Sequence, residues 1–153
     1  MNMEFAFRPA TAEDAVFLYE LNRTTLRGYV EKTWGPWDEE WQRDRFLKMF
    51  RPEDVRIIVV SGRDAGQLIT HRRGTELEIG LIEIVPELQG RGLGTRILRD
   101  LLAEAAGEGL RVTLQVLKAN PSKRLYERLG FTVTGETATH YQMSTKPWVI
   151  GRA

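Results

Sequence analysis

Cysteine is absent from the chain and histidine nearly so, with only His71 and His140 among 153 residues. No disulfide can form, no thiolate is available to hold zinc or attack a substrate, and two histidines do not make a metal centre by themselves. No metal is therefore expected, and the reducing cytoplasm is the expected location. Long apolar runs are also missing. Nothing approaches the ~20 apolar residues that span a bilayer, and Met1 to Phe7 carries no leader-like hydrophobic stretch. An excess of one charge is lacking too, since 22 basic residues face 21 acidic ones for a net charge of +1. A nucleic-acid binder needs a stronger basic footprint, so the expected partners include neither nucleic acid nor membrane.

What is present is 42% hydrophobic content, enough for a single domain over residues 1–153 with its own core. Arginine outnumbers lysine 17 to 5. Guanidinium forks suit phosphate and carboxylate ligands as well as surface ion pairs.

Along the chain, Phe5 to Arg8 alternates like a short strand, and Pro9 is expected to end it. Thr11 with Asp14 resembles a capping box, followed by a helix to about Thr25, where Gly28 loosens the pattern. Trp34-Gly35-Pro36-Trp37 reads as a turn, and Asp38 as the N-cap of a second helix ending before Pro52. Three antiparallel strands are expected next, over Val55–Ser61, Gln67–Arg72 and Glu76–Val85, with a turn from Gly62 to Gly66. Leu93, Ile97, Leu98, Leu101, Leu102 and Ala105 mark one face of a helix to about Glu108. Arg111–Leu117 is a strand reached through that helical crossover, hence parallel to Glu76–Val85. Asn120-Pro121 reads as N-cap and first position of a helix to Leu129. Gly130 is its left-handed end, and strands Phe131–Thr134 and Thr139–Ser144 close the chain.

The most informative stretch is Gln89-Gly90-Arg91-Gly92-Leu93-Gly94-Thr95, a glycine-dense turn between a strand and an amphipathic helix. Such a turn lets main-chain N–H groups approach an anion at a helix N-terminus, though a glycine turn can also serve no ligand. A Walker-type loop needs Gly-Lys-Ser/Thr, and here Gly94 is followed by Thr95-Arg96. The dinucleotide fingerprint fails as well, because Thr95 stands where a third glycine or alanine belongs.

The order strand, Pro86, Gln89-x-x-Gly92-x-Gly94, helix, strand, and then Asn120-Pro-Ser-Lys-Arg-Leu-Tyr-Glu-Arg-Leu-Gly-Phe131 resembles the GNAT superfamily of acyl-CoA-dependent N-acyltransferases. The resemblance implies an α/β (α+β) fold: a mixed, mostly antiparallel sheet splayed at two central parallel strands and flanked by about four helices. It implies acetyl-CoA as co-substrate. Ile84 and Val85 would pair with the pantetheine arm, and Gln89, Gly90, Arg91, Gly92, Leu93, Gly94 and Thr95 would hold the pyrophosphate. Asn120, Ser122 and Tyr126 would complete the cofactor contacts. A main-chain N–H near Ile84 would hold the oxyanion, and Tyr126 would be the general acid for the CoA thiolate, unless it only packs with Leu125 and Leu129.

Glu83 is a charge inside an apolar strand, so it is either a base for the acceptor amine or half of an ion pair with a neighbouring arginine. Glu78 is the second candidate, and an amine that arrives partly neutral needs no dedicated base. Tyr29, Trp34, Trp37 and Trp41 interleave with Glu31, Asp38, Glu39 and Glu40, a mixture suited to a cationic amine but also to ordinary core and capping roles. His140 and Tyr141 could line the same pocket. The expected activity is direct acetyl transfer to a small-molecule or peptide amine by a monomer or homodimer. A non-catalytic acyl-CoA sensor of the same fold is the competing reading.

Overall fold

The strongest periodicity in the chain produces its best-formed helix. Leu93, Ile97, Leu98, Leu101 and Ala105 form one buried face of the helix Leu93–Gly107. The structure, a computed structural model, describes residues 3–146. Its elements are β1 (Ala6–Pro9), α1 (Ala15–Trp34), α2 (Glu39–Met49), β2 (Val55–Val60), β3 (Arg63–Arg73), β4 (Glu76–Ile84), α3 (Leu93–Gly107), β5 (Arg111–Leu117), α4 (Lys123–Arg128), β6 (Thr132–Glu136) and β7 (His140–Ser144). Among the described residues the strands form one seven-stranded sheet in the order β1-β2-β3-β4-β5-β7-β6. β1 with β2, β2 with β3, β5 with β7 and β6 with β7 run antiparallel. β4 and β5 are the parallel pair, in register over Glu76–Ile79 against Arg111–Leu114. This is the mixed, mostly antiparallel α/β architecture that the element order implied. No helix among the described residues is long and apolar enough to cross a membrane.

The chain divides into two compact units. One holds the chain up to Ile69 together with Leu81–Arg91, and the other holds Thr70–Gly80 and the chain from Gly92 onward. In the first, Leu18, Val55 and Ile57 are buried, with Phe17, Phe46, Phe50 and Val59 packed against them. Tyr19 and Phe50 flank Phe46 at ring-centroid distances of 5.5 and 5.7 Å. Arg8 ties the entry of this unit by bonding Asp14 and Asp64, each at 2.8 Å. In the second unit α3 packs on β5, whose Val112, Leu114 and Val116 are buried along with Phe131 and Met143.

Several boundaries differ from the sequence expectation for identifiable reasons. β1 ends at Pro9, which is its last residue rather than the first beyond it, because an edge strand can spare one N–H. α1 runs through Gly28 to Trp34, nine residues beyond Thr25, since one glycine costs a helix only ~1 kcal/mol. The turn after β2 is only Ser61-Gly62, with φ of 52° and 75°, the left-handed pair of a two-residue hairpin, so β3 starts at Arg63. The β2–β3 register shifts between Ile58 and Val59, which pair with Gly66 and Asp64, so Ala65 bulges out of the ladder. α4 begins at Lys123, leaving Asn120 and Pro121 in the preceding turn.

Candidate active site

Glu83 occupies the one charged position in the C-terminal half of β4 and is only 5% exposed. Its carboxylate is gripped by neutral donors. Gln67 Nε2 donates to Oε1 at 2.7 Å, while Asn22 Nδ2 and Thr25 Oγ1 donate to Oε2 at 3.0 and 2.7 Å. Burial pushes the Glu83 carboxyl above its ordinary value, and the bonds from Thr25, Gln67 and Asn22 hold it back. Among the described residues no arginine takes part in this network, and a neutral cage stands where an ion pair was the alternative for Glu83.

The arginine partner belongs instead to Glu78, which lies 3.8 Å from Arg73 and 3.5 Å from His71. Glu78 also borders an open groove of about 200 Å³ with Glu76, Thr113, Gln115 and Gln142. Sequence reasoning missed Asn22, Thr25 and Gln67. The available signal was weak: Asn22 and Thr25 are three residues apart on α1, hence on one face, and Gln67 interrupts a strand that is buried from Ala65 to Leu68.

The backbone around Glu83 is fixed by the β3 bulge. Val85 N donates to Ala65 O at 2.9 Å, and a Cβ on Gly66 would lie 2.1 Å from Glu83 O. Only glycine permits that approach. Val85 O accepts from Leu88 N at 3.0 Å, and Gln89 Nε2 donates to Ile84 O at 2.9 Å. The Val85 N–H is thus already committed within the protein, and the Ile84 carbonyl already accepts one hydrogen bond.

The glycine turn is left-handed at two positions. Gly90 and Gly92 have φ of 74° and 83°, and Gly92 is the N-cap of α3, accepting from Arg96 N at 3.0 Å. Leu93 is buried and anchors the turn, while Gly94 and Thr95 are half-buried and Gln89, Gly90, Arg91 and Gly92 are exposed. The N–H groups of Leu93, Gly94 and Thr95 stand in the first turn of α3, where no intrahelical acceptor exists.

In the second unit Tyr126 sits on α4 with its ring 5.7 Å from Phe131 in an edge-to-face contact, and burial pushes its phenol above 10.0. Gly130, at φ 100°, reverses the chain so that Phe131 N reaches Tyr126 O at 3.0 Å. Asn120 Oδ1 accepts from Ser122 N at 2.9 Å, closing the turn before α4.

The aromatic cluster is more structural than its composition suggested. Trp37 is buried and staples α1 to α2, its N donating to Glu31 Oε2 at 3.1 Å and its Nε1 to Glu39 Oε2 at 2.9 Å. Asp38 caps α2 through Trp41 N at 3.0 Å, as expected. Trp41, read as core, is 55% exposed and stacked under Arg45, and Trp34 is 60% exposed. Tyr29 is half-buried on the same helix. His140 Nδ1 lies 2.7 Å from Thr139 Oγ1, and the Tyr141 ring is flanked by Lys123 and Lys118 at 4.7 and 5.3 Å, which gives this ring a cationic rather than acidic setting.

The acetyltransferase (GNAT) family model matches residues 15–131, from the start of α1 through Phe131. The chain belongs to the GNAT family. This GNAT chain is 38% identical over 66 residues to the 5-NmdU N-acetyltransferase of Pseudomonas phage PaMx11, a match covering 42% of the chain and 46% of that relative. The GNAT fold is also shared with the PaiA N-acetyltransferase of Thermoplasma acidophilum, solved in complex with coenzyme A. That structure is 18% identical, with a TM-score of 0.74 over 95% of this chain and 99% of that one. An acetyltransferase from Thermus thermophilus is 20% identical, with a TM-score of 0.70 over 94% and 96% of the two chains. Among the described residues of this GNAT chain no three metal-ligating side chains cluster.

Proposed function

We propose that the chain acts as one GNAT domain over residues 1–153 and moves an acetyl group from acetyl-CoA to a primary amine by direct transfer through a tetrahedral intermediate. The observation that carries this reading is Glu83: a carboxyl buried to 5% exposure, held by three neutral donors and, among the described residues, no cation, on the strand that leads into the glycine turn. Structural carboxylates at that depth are ordinarily paired with a cation, and an unpaired one with a raised pKa suits proton traffic.

The roles are divided among this chain's residues. The N–H groups at the start of α3 and the open turn Gln89–Gly92 bind pyrophosphate, with Arg91 and Arg96 adding charge. Gly92 in its left-handed conformation allows that approach. A main-chain N–H near Ile84 stabilises the oxyanion, a contribution worth about 3 kcal/mol for one preorganised donor. Glu83 accepts the proton that the amine sheds as its nitrogen bonds to the acyl carbon, directly or through water. Tyr126 donates its hydroxyl proton to the departing sulfur. Burial makes Tyr126 a weaker acid than free phenol, so it also serves as a hydrogen-bond donor that steadies the thiolate.

The protein works without a covalent intermediate, in the cytoplasm, on an amine of small-molecule or peptide origin. Thiol release from acetyl-CoA across polyamines, amino acids, peptide N-termini, aminoglycosides and the 5-NmdU named for the phage relative tests this. Release with any of these supports transfer. Acetyl-CoA binding by calorimetry with no release on any amine identifies a sensor instead.

A further inference from the structure

The Glu83 cage holds more than three static bonds. Thr25 Oγ1 lies 2.7 Å from Glu83 Oε2 and also 3.3 Å from the main-chain oxygen of Asn22, and a hydroxyl has a single hydrogen to give. It can donate to only one of these acceptors at a time. When Glu83 is ionised the hydroxyl donates to Oε2, beside the bond from Asn22 Nδ2. When Oε2 carries a proton, that O–H donates to Thr25 Oγ1, and the Thr25 hydrogen turns to Asn22 O. Gln67 continues to donate to Oε1 in both states.

We propose that Asn22, Thr25 and Gln67 are positioning residues for proton uptake by Glu83, with the Thr25 hydroxyl turning between Glu83 Oε2 and the Asn22 main-chain oxygen as the carboxyl gains or loses its proton. This rests on the reading of Glu83 as the base. The step balances: an amine N–H bond breaks and leaves its electron pair on nitrogen, an O–H bond forms at Oε2, and the Thr25 hydrogen changes acceptor without leaving its oxygen. The advantage is that a buried group stays fully hydrogen-bonded in both protonation states, whereas a one-way donor would leave one state unsatisfied. The side chains bonded to Glu83 are Asn22 and Thr25 from α1 and Gln67 from β3, none of them titratable, so the carboxyl's own proton governs the switch.

The test follows the Glu83 carboxyl by carbon NMR in the full chain labelled at glutamate, with Glu83→Gln used to assign its signal. Thr25→Val keeps the shape and removes the hydroxyl. Its expected effect is a Glu83 titration midpoint raised by about 0.5–1 pH unit, because the charged form loses the shorter of the two hydrogen bonds at Oε2. Thr25→Ser returns the midpoint to within about 0.2 units of the unsubstituted chain. Should Thr25→Val not fold, Thr25→Ala takes its place. A midpoint unmoved by loss of the hydroxyl, or moved equally by Thr25→Ser, overturns the proposal. The base assignment fails separately, through a Glu83→Gln variant that acetylates its amine at the rate of the unsubstituted chain.

Discussion

Replacing Gly66 by alanine tests how closely β3 approaches β4 at Glu83. A Cβ there would sit 2.1 Å from Glu83 O and 3.1 Å from Ile84 Cα, both backbone atoms that cannot rotate away. Relief requires a separation of about 1 Å between the strands, which strains the Val85–Ala65 bond and the Gln67–Glu83 bond at the same time. Overpacking against backbone costs about 3 kcal/mol at the upper end of its usual range, and for a chain of this size that lowers Tm by about 6–12 °C. Two other glycines calibrate the measurement. At Gly135 the added Cβ meets only the tip of the Gln142 side chain at 2.7 Å, so Gly135→Ala costs less than about 1 kcal/mol. At Gly28, inside α1, nothing lies within 4 Å, and Gly28→Ala stabilises by about 0.5–1 kcal/mol through helix propensity. Thermal and urea unfolding of the three variants reads these differences. A Gly66→Ala protein that melts within about 1 °C of the unsubstituted chain refutes the close approach.

Tyr126→Phe keeps the Phe131 contact and removes the hydroxyl, so kcat falls by about 100-fold while acetyl-CoA affinity stays within about twofold; steady-state kinetics with calorimetry checks both. Gly92→Glu places a negative charge at the start of α3 and weakens acetyl-CoA binding at least tenfold, whereas Gly92→Asn, which tolerates left-handed φ, costs far less affinity. Glu83 has a folded pKa above its ordinary 4.5, so its favourable effect on stability is full below pH 4.5 and is lost as pH rises through the folded value. Urea unfolding from pH 4 upward should therefore show Glu83→Gln gaining relative to the unsubstituted chain. Asp14 behaves oppositely: Arg8 holds its carboxyl below 3.8, so its contribution is present above that value and disappears as pH falls. Asp14→Asn should accordingly lose stability at neutral pH, with the difference shrinking as pH falls below 3.8.

The fold was legible wherever local pattern and tertiary environment agree. β5 spans Arg111–Leu117 and α3 starts at Leu93 because each buries one face at its own period. Gly28 misled because packing on one side of α1 outweighs a single weak residue, and Gly62 to Gly66 misled because turn-forming residues there serve both a two-residue hairpin and a bulge. The oddity of Glu83 was visible in its strand. Its cage was not, since Asn22 and Thr25 lie 61 and 58 residues away in sequence and carry no pattern linking them to it. In the Trp34–Trp41 stretch composition left ligand and structural roles open, and only contacts separate them: the Trp37 indole joins two helices, while Trp34 and Trp41 are exposed.

The bulge at Ala65 sets the phase of β3. Beyond it Val59 faces Asp64 and Val60 faces Arg63, one step out of the alternation followed from Val55 to Ile58. Removing Ala65 would restore an unbroken ladder, withdraw the carbonyl that receives the Val85 N–H, and turn Asp64 away from the side on which it meets Arg8. Single-residue deletions in this strand should thus be rejected in natural variants, and differences in length should collect at the exposed tip around Ser61-Gly62.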